Sequence, residues 1–292
     1  MSEHICIVGP GRLGLALGAA LRSTRAAERL VYMGRSLDPP PHPLFEPHPD
    51  GLAAEYRLGP VPVPMGTTVL ILAVPDAALA EVAYDLAALG PAPAGCTVLH
   101  TSGTLSADVL APMHGAGYAL GSLYPLVAVA DPWQPPERLI GAAFAISGEP
   151  AALSAARRVI DALEGHAFVM PRSVRPLLQA AASLASGHVV ALLMRAAALL
   201  EDAGVDPAEA LPALLPLARG TLENLEKLGL RAALGGPIAA GDADGVRMQL
   251  GRLSEEDRAL YCALGRELLG HARAAGLDPQ RADEIEAALS RD

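Results

Sequence analysis

The chain has 292 residues, which is enough for about two domains at roughly 150 residues each. Its hydrophobic fraction is 51% and its charged fraction is 18%, and these values exclude an intrinsically disordered chain. The net charge of −10 at pH 7 disfavours binding to nucleic acid or to an anionic membrane surface.

In the first 170 residues, short apolar runs alternate with helical patterns. The predicted strands are residues 4–8, 30–33, 68–74, 97–100, 119–123, 143–147 and 167–170, and the predicted helices are 15–23, 76–89 and 151–163. Nine prolines between Pro39 and Pro64 predict a loop with at most one short strand. The alternation predicts a parallel sheet that is covered by helices on both faces.

The pattern changes after Pro171, where only helices are predicted. They cover residues 176–203, 207–228, 242–250, 255–275 and 279–289. The predicted fold class is therefore α/β, a doubly wound sheet followed by an all-helical domain. We expect the domains to be residues 1–171 and 172–292.

Cysteine usage indicates a cytoplasmic protein. Cys6, Cys96 and Cys262 lie far apart and form no CxxC motif, which disfavours a disulfide framework and a metal site. No basic and apolar leader opens the chain, so we expect no signal peptide. The apolar stretch from Pro176 to Leu200 is interrupted by polar residues, which favours a buried helix over a membrane span.

A glycine loop follows the first predicted strand. Gly9, Gly11 and Gly14 form a GxGxxG motif, GPGRLG, that follows a strand and opens a helix. In this context the glycines allow a tight turn, a close approach to a pyrophosphate and packing of the helix on the strand. The helix N-terminus, with Arg12 and Leu13, would present N–H groups to the phosphates. Glycines that merely turn the chain are the alternative.

The end of the second predicted strand favours NADP over NAD. Dinucleotide-binding folds that take NAD usually place a carboxylate here, on the ribose 2′-hydroxyl. This chain instead has Arg35 and Ser36, which suit a 2′-phosphate, and Arg12 could reach the same group. A solvated surface arginine is the alternative for Arg35.

Polar or turn residues end three successive predicted strands, at the edge where doubly wound sheets bind ligands. Taken singly, each strand end is as compatible with ordinary loop chemistry. Together they predict a cleft, with Ala73, Val74, Pro75 and Thr101 assigned to the cofactor and His100, Ser102 and Tyr124 assigned to the chemistry.

The motifs GPGRLG, AVPD, HTSG, SLYPL and GGPIAAGD, in this order, resemble bacterial proteins that pair a Rossmann-like domain with a DUF2520 domain. These are relatives of pyrroline-5-carboxylate reductase and of the 6-phosphogluconate dehydrogenase superfamily. The resemblance covers essentially the whole chain. It implies an NADP-binding N-terminal domain, a helical C-terminal domain that commonly dimerises, and a reductase-like activity.

The sequence departs from this family at polar positions. Tyr124, Gln179 and Gln249 stand where the family usually has histidines. Ala240 replaces an arginine, and Gly187 replaces an asparagine. The cleft therefore keeps hydrogen-bonding groups but loses imidazoles, which puts the family's proton chemistry in doubt for this chain.

Hydride transfer to a carbonyl or imine needs a positioned acceptor and often a proton donor. The candidate catalytic residues are His100, Ser102, Tyr124 and Gln179. Asn224 and Lys227, the only asparagine and lysine, are interpreted as a helix-surface pair outside the site. We expect Ser102, Tyr124 and Gln179 to share one cleft between the domains with Gly9 and Gly11.

These residues predict an NADP-dependent oxidoreductase that acts on a small imine or keto compound. The alternative is a non-catalytic NADP-binding redox sensor or scaffold, which the missing histidines favour. A purely structural dimer would leave the glycine loop unexplained. We also expect a homodimer through the helical domain, because the helix from Pro176 to Ala203 is apolar on more sides than one neighbour covers.

Overall fold

The computed structural model describes residues 3–47, 53–131, 133 and 136–290. The chain divides into two compact units, residues 1–189 and 190–292, which we term the first and the second unit. This division falls later than the predicted boundary at residue 171, because the helix after the last strand stays with the sheet.

The strands follow the apolar runs of the sequence. They are β1 (Glu3–Val8), β2 (Ala27–Gly34), β3 (Glu55–Leu58), β4 (Val69–Leu72), β5 (Thr97–His100), β6 (Ala119–Pro125), β7 (Ala143–Gly148) and β8 (His166–Val169). All four residues of β4 and of β5 are buried, as expected for central strands that are covered on both faces.

The helices of the first unit alternate with these strands. They are α1 (Arg12–Ser23), α2 (Asp76–Ala88), α3 (Ala111–Gly115), α4 (Pro150–Ala162) and α5 (Arg175–Ala185). The division between the units falls within α6 (Gly187–Asp202), which is followed by α7 (Pro207–Ala232), α8 (Gly236–Ala240), α9 (Ala243–Leu250), α10 (Glu255–Ala274) and α11 (Pro279–Leu289).

Within the described residues, the eight strands form one sheet in the order β3-β2-β1-β4-β5-β6-β7-β8. Each neighbouring pair is parallel except β6 and β7, which pair antiparallel. The predicted parallel sheet is confirmed except at this pair. The described part of the connection, within residues 126–142, contains no crossover α-helix. The strand β7 therefore begins beside the end of β6 and runs in the opposite direction.

Two apolar layers pack against the sheet of the first unit. On one face, Leu17 and Leu21 of α1 and Val159 and Ile160 of α4 join a buried cluster with the strands. On the other face, α2 and α3 contribute apolar side chains such as Leu79. Both faces of the sheet are therefore covered, as the sequence predicts.

In its described residues, the proline-rich stretch after β2 contains one short strand, β3, which the sequence allowed. Its Glu55 accepts two hydrogen bonds from Arg29 of β2, at 2.7 and 2.9 Å. This pairing with Arg29 lowers the pKa of Glu55 below its usual value. A bidentate ion pair thus helps to hold an edge strand that has little apolar sequence.

The predicted helix over residues 176–203 is interrupted at Ser186, which separates α5 from α6. Ser186 has φ −128° and ψ −82°, and Gly187 follows it. By length and composition alone, the helical stretch Arg172–Asp202 could cross a membrane. The sequence predicts a buried helix here, but this prediction is wrong for the single chain. Many of the large apolar side chains of the stretch are exposed, among them Leu177, Leu184, Val190 and Met194.

The second unit has its own apolar core, which includes Ile238 and Ile285. Arg195 of α6 pairs through two hydrogen bonds with the buried carboxylate of Asp257 in α10. Ser254 donates to the same carboxylate at 2.5 Å. The Arg195 hydrogen bonds, helped by Ser254, lower the pKa of Asp257 to about 2.

All three cysteines are free and buried. Cys6 and Cys96 belong to one apolar layer of the first unit, and Cys262 belongs to the core of the second unit. Burial raises the pKa of Cys6 and of Cys96 to about 12.

Candidate functional site

The glycine loop joins β1 to α1. At Gly9 and Gly14 the neighbouring backbone leaves no room for a side chain. Gly9 has a φ of +102°, and a Cβ there would lie 2.5 Å from the carbonyl oxygen of Ala73. A Cβ at Gly14 would overlap the carbonyl oxygen of Gly9. Strand, loop and helix therefore touch directly, which only glycine permits.

The first turn of α1 leaves backbone N–H groups available for an anion. The helix has no side-chain cap and no acidic residue in its first turn. A Cβ at Gly11 would meet nothing within 4 Å, so this part of the loop borders open space. The N–H groups of Arg12 and Leu13 lie at the positive end of the helix dipole.

Two exposed arginines flank the glycine loop. Arg12 donates a hydrogen bond of 3.3 Å to the carbonyl oxygen of Ala130. Arg35 and Ser36 follow β2 and are exposed, and Tyr56 of β3 donates to the carbonyl oxygen of Ser36 at 2.7 Å. Within the described residues Arg35 makes no ion pair, so its guanidinium is available to a ligand.

Tyr32 of β2, which no sequence motif indicates, holds the start of α1 against the sheet. Its hydroxyl is fully buried and donates a hydrogen bond of 2.7 Å to the carbonyl oxygen of Gly14. A Cβ at Gly18 would overlap the same hydroxyl. A glycine four residues after the GxGxxG motif is the signal that could have indicated this close packing.

The ends of β4 and β5 meet the end of β1 at one edge of the sheet. The Ala73 N–H donates to the Val8 carbonyl at 2.8 Å, and the Thr101 N–H donates to the Leu72 carbonyl at 3.1 Å. Val74 contacts the glycine loop, since its Cγ1 would lie 2.9 Å from a Cβ on Gly9. Ala73, Val74 and Thr101 thus line the edge beside the loop, and Pro75 precedes the first turn of α2.

His100 and Ser102 are buried and hold the loop after β5. The His100 Nδ1 accepts the Ser102 N–H at 3.2 Å, and the Ser102 hydroxyl accepts the N–H groups of Thr104 and Leu105 at 3.1 and 3.0 Å. Burial, together with the nearby charge of Arg175, lowers the pKa of His100 to about 4. His100 is therefore neutral at pH 7, with its proton on Nε2.

Tyr124 and Gln179 meet above Gly103. A Cβ on Gly103 would overlap the Gln179 amide nitrogen and would lie 2.7 Å from Tyr124 Cζ. Both side chains are half-buried, and neither donates nor accepts a hydrogen bond within the described part of the chain. The structure therefore brings together two of the four predicted catalytic side chains, with their polar ends free.

Two family models match the chain, one after the other. The model of the Rossmann-like domain matches residues 2–125, and the model of a domain of unknown function, DUF2520, matches residues 142–268. The chain carries a Rossmann-like domain followed by a DUF2520 domain. The DUF2520 match begins beside β7, so it includes the last strands of the sheet as well as helices.

Solved structures share this fold at low sequence identity. A protein from Thermotoga maritima is 20% identical with a TM-score of 0.63, and the match covers 97% of this chain and 99% of that one. Pyrroline carboxylate reductase from Plasmodium falciparum, with NADP bound, is 13% identical with a TM-score of 0.57 over 99% and 98% of the chains. Reductive aminase from Aspergillus terreus, with NADPH and ethyl-5-oxohexanoate, is 18% identical with a TM-score of 0.55 over 100% and 93%. No curated protein matches the chain closely enough to count as a relative.

Three other polar residues that the sequence singled out belong to the second unit. Lys227 is exposed on α7 beside Glu223, at 4.0 Å, and Asn224 is exposed on the same helix. Gln249 of α9 accepts a hydrogen bond of 2.6 Å from Tyr261. Asn224 and Lys227 thus lie on the surface of α7, where the sequence predicts a helix-surface pair.

The DUF2520 domain also supplies Arg175, which the sequence analysis missed. It is the first residue of α5, and its side chain is buried against β6 and β7. An arginine followed by proline at a helix start is usually a surface residue, so the sequence carried no signal for this burial.

Proposed function

We propose that the protein is an NADP-dependent oxidoreductase that reduces or forms a small imine or keto compound. The observation that carries this proposal is the glycine loop, in which Gly9 and Gly14 are required by backbone contacts while Gly11 faces open space. Structural neighbours of the same fold that are named for NADP or NADPH support it.

The end of β2 supports NADP over NAD. Arg35 and Ser36 are exposed there, Arg35 has no acidic partner among the described residues, and Tyr56 fixes the backbone of Ser36. A guanidinium suits the doubly charged 2′-phosphate of NADP. No carboxylate stands directly after β2 to hold the 2′-hydroxyl of NAD.

The position of Tyr124 and Gln179 suits a reacting group at the far end of the cofactor. Strands β1, β4, β5 and β6 are neighbours, so three strand spacings, about 14 Å, separate the glycine loop from Tyr124. An extended dinucleotide can span this distance along the edge. Bound NADPH supplies the hydride, and the chain must orient the acceptor.

In this proposal Tyr124 and Gln179 orient the substrate. The Tyr124 hydroxyl can donate a hydrogen bond or a proton to a carbonyl oxygen or imine nitrogen, and the Gln179 amide can hold a second polar group. An imine that binds already protonated needs only this orientation. His100 and Ser102 support the loop beneath them through their hydrogen bonds.

Cofactor binding tests the first part of the proposal. We expect NADPH to bind about 10- to 150-fold more tightly than NADH, because a charge-assisted hydrogen bond contributes about 1.5–3 kcal/mol. Arg35→Ala should remove most of this preference in isothermal titration calorimetry, whereas the exposed Arg219→Ala on α7 should preserve it. Equal affinities in the unsubstituted protein would contradict the choice of NADP.

Turnover separates the enzyme from a non-catalytic NADP-binding sensor. The sensor is favoured by the missing family histidines and by the burial of His100, which lowers its pKa to about 4. NADPH oxidation at 340 nm should be measured with cyclic imines, keto acids and keto esters, with and without added amines. Tight NADPH binding without turnover of any of these compounds would favour the sensor.

We also propose that the protein forms a homodimer through its helical region, in a reducing cytoplasm. Large apolar side chains on α5, α6 and α7 are exposed in the single chain, among them Leu177, Leu184, Met194 and Leu217. Soluble monomers rarely leave so many large apolar side chains of a helical region exposed. Contact with the same helices of a second copy would cover them.

A further inference from the structure

A buried arginine lies beneath the cluster of Tyr124 and Gln179. Arg175 is only 4% exposed. Its Nη2 donates to the Ser122 hydroxyl of β6 at 2.5 Å and to the Ser147 hydroxyl of β7 at 2.6 Å. The two hydroxyls lie 2.9 Å apart, so one guanidinium nitrogen joins both strands.

The other terminal nitrogen of Arg175 reaches the loop after β5. Its Nη1 lies 3.4 Å from the carbonyl oxygens of Ser102 and Gly103. One side chain therefore bonds to a pair of facing serines in β6 and β7 and to the loop after β5. Because that side chain begins α5, the helix is fixed to this edge of the sheet.

The charge of Arg175 is not neutralised by an acid. Among the residues that the structure describes, no carboxylate pairs with it, and its buried Nε has no hydrogen-bond partner. Burial lowers the pKa of Arg175 below its usual value. Burying an unpaired guanidinium costs free energy, so the residue is a poor choice if only stability is required.

The helical period connects Arg175 with the candidate site. Gln179 lies four residues later on α5, so the two side chains project from the same face of the helix. Gln179 packs on Gly103, and the carbonyl oxygen of Gly103 is a partner of Arg175. The same guanidinium thus fixes the helix that carries Gln179 and the residue on which Gln179 rests.

We propose that Arg175 is a positioning residue of the site, which holds the Gln179 amide against Gly103 and Tyr124 by fixing α5 to the paired serines of β6 and β7. The proposal rests on the proposed function, since it assigns Gln179 to substrate. It predicts that the anchor acts through Gln179 and that the several donors of a guanidinium are needed at residue 175.

Hydrogen exchange of the full chain tests the anchor without any substrate. In Arg175→Met, peptides covering residues 175–185 and 101–105 should exchange about tenfold faster, whereas the core strand β4 should keep its protection. Arg175→Lys should recover part of the protection. The matched control is Arg172→Met, three residues earlier, because Arg172 is exposed and pairs with exposed Asp108.

If Arg175→Met fails to fold, the double variant Ser122→Ala, Ser147→Ala removes the two hydroxyl partners and keeps the arginine with its two carbonyl partners. Peptides covering residues 175–185 should again exchange faster, by less than is expected for Arg175→Met. Unchanged protection of residues 175–185 in a folded Arg175→Met protein, or in the folded serine variant, would overturn the anchor.

Kinetics with NADPH and 1-pyrroline, a simple cyclic imine, test whether the anchor acts through Gln179. Arg175→Lys should lower kcat/KM about tenfold while NADPH affinity stays within about twofold, and Arg172→Met should do neither. In a Gln179→Ala background, Arg175→Lys should have little further effect, because both changes remove the same contact. Full additivity of the two effects would contradict positioning through Gln179.

The two experiments distinguish failure of the positioning role from failure of the proposed function. Absence of imine reduction by the unsubstituted protein would count against the proposed function alone, and the exchange measurement would still decide whether Arg175 anchors α5. Turnover combined with unchanged exchange would reject the anchor while the oxidoreductase stands.

Discussion

At the residue scale, Gly103 determines whether Tyr124 and Gln179 can meet. A side chain there would overlap the Gln179 amide and press on the Tyr124 ring. The residue is therefore a sensitive test of the candidate site, because it changes the arrangement of two side chains without removing either.

Gly103→Ala should lower kcat/KM for imine reduction about 10- to 100-fold, because displacement of positioning groups by about 1 Å has effects of this size. Affinity for NADPH should change little. The control is Gly115→Ala at the end of α3, where a Cβ would meet nothing within 4 Å. Equal activity of the two variants would exclude the Gly103 cluster from the site.

His100 gives the first unit a stability that depends on pH. Its pKa is about 4 in the folded chain against an ordinary value of 6.5, so the unfolded chain binds the proton more tightly. Stability should be constant above about pH 6.5 and should fall by about 3 kcal/mol as the pH drops from 6.5 to 4.

Urea unfolding of the full chain between pH 7.5 and 4 measures this dependence. His100→Gln should flatten the decline, whereas His166→Gln, at an exposed position in β8, should leave it in place. A decline of the same size in His100→Gln would mean that another group causes it.

The role of His100 illustrates what the sequence could not predict at this scale. HTSG after a strand indicated a polar loop at the correct edge, but the motif does not reveal that the imidazole is fully buried. The charge that acts on it comes from Arg175, far along the chain, whose position depends on the complete fold.

At the element scale, α1 is held to β2 by the buried hydroxyl of Tyr32 on the Gly14 carbonyl. Tyr32→Phe should lower the free energy of unfolding by about 1–2 kcal/mol, because it leaves a buried carbonyl without its donor. It should also weaken NADPH binding several-fold, since Gly14 belongs to the glycine loop. Tyr84→Phe, on the exposed face of α2, is the control and should change neither quantity.

The elements themselves were largely predictable, because the strands of the sheet are apolar runs bounded by turn residues. The reversed direction of β7 was not, since it depends on the path of residues 126–142, which carry no regular pattern. The interruption of the long helix at Ser186 was also missed. Ser186 and Gly187 are weak helix formers, but such a pair inside an apolar helical pattern more often bends a helix than ends it.

At the scale of the whole molecule, the exposed apolar helices predict self-association. Met194→Glu, at a position that is 67% exposed on α6, should shift the dimer toward monomer in analytical ultracentrifugation. Met65→Glu, at a position that is 82% exposed in the first unit, should leave the dimer intact. A protein that is monomeric at micromolar concentration before any substitution would refute the dimer.

The candidate site was predictable to the extent that it depends on short motifs. The spacing of Gly9, Gly11 and Gly14 and the strand ends at Thr101 and Tyr124 were assigned to one edge of the sheet. Placing Gln179 beside them needed the family resemblance, and Arg175 lay outside any motif. Contacts between a sheet edge and a later helix are set by tertiary packing, which periodicity does not encode.

The three buried cysteines can report local unfolding of the chain without an added label site. A thiol reacts with alkylating reagents as the thiolate, and the raised pKa values of Cys6 and Cys96, about 12, leave almost none in the folded protein at pH 8. These cysteines are therefore labelled only after the unit that contains them has transiently unfolded. Because Cys6 and Cys96 lie in the first unit and Cys262 in the second, the labelling rate of each cysteine, followed by peptide mass spectrometry, would measure how often each unit opens.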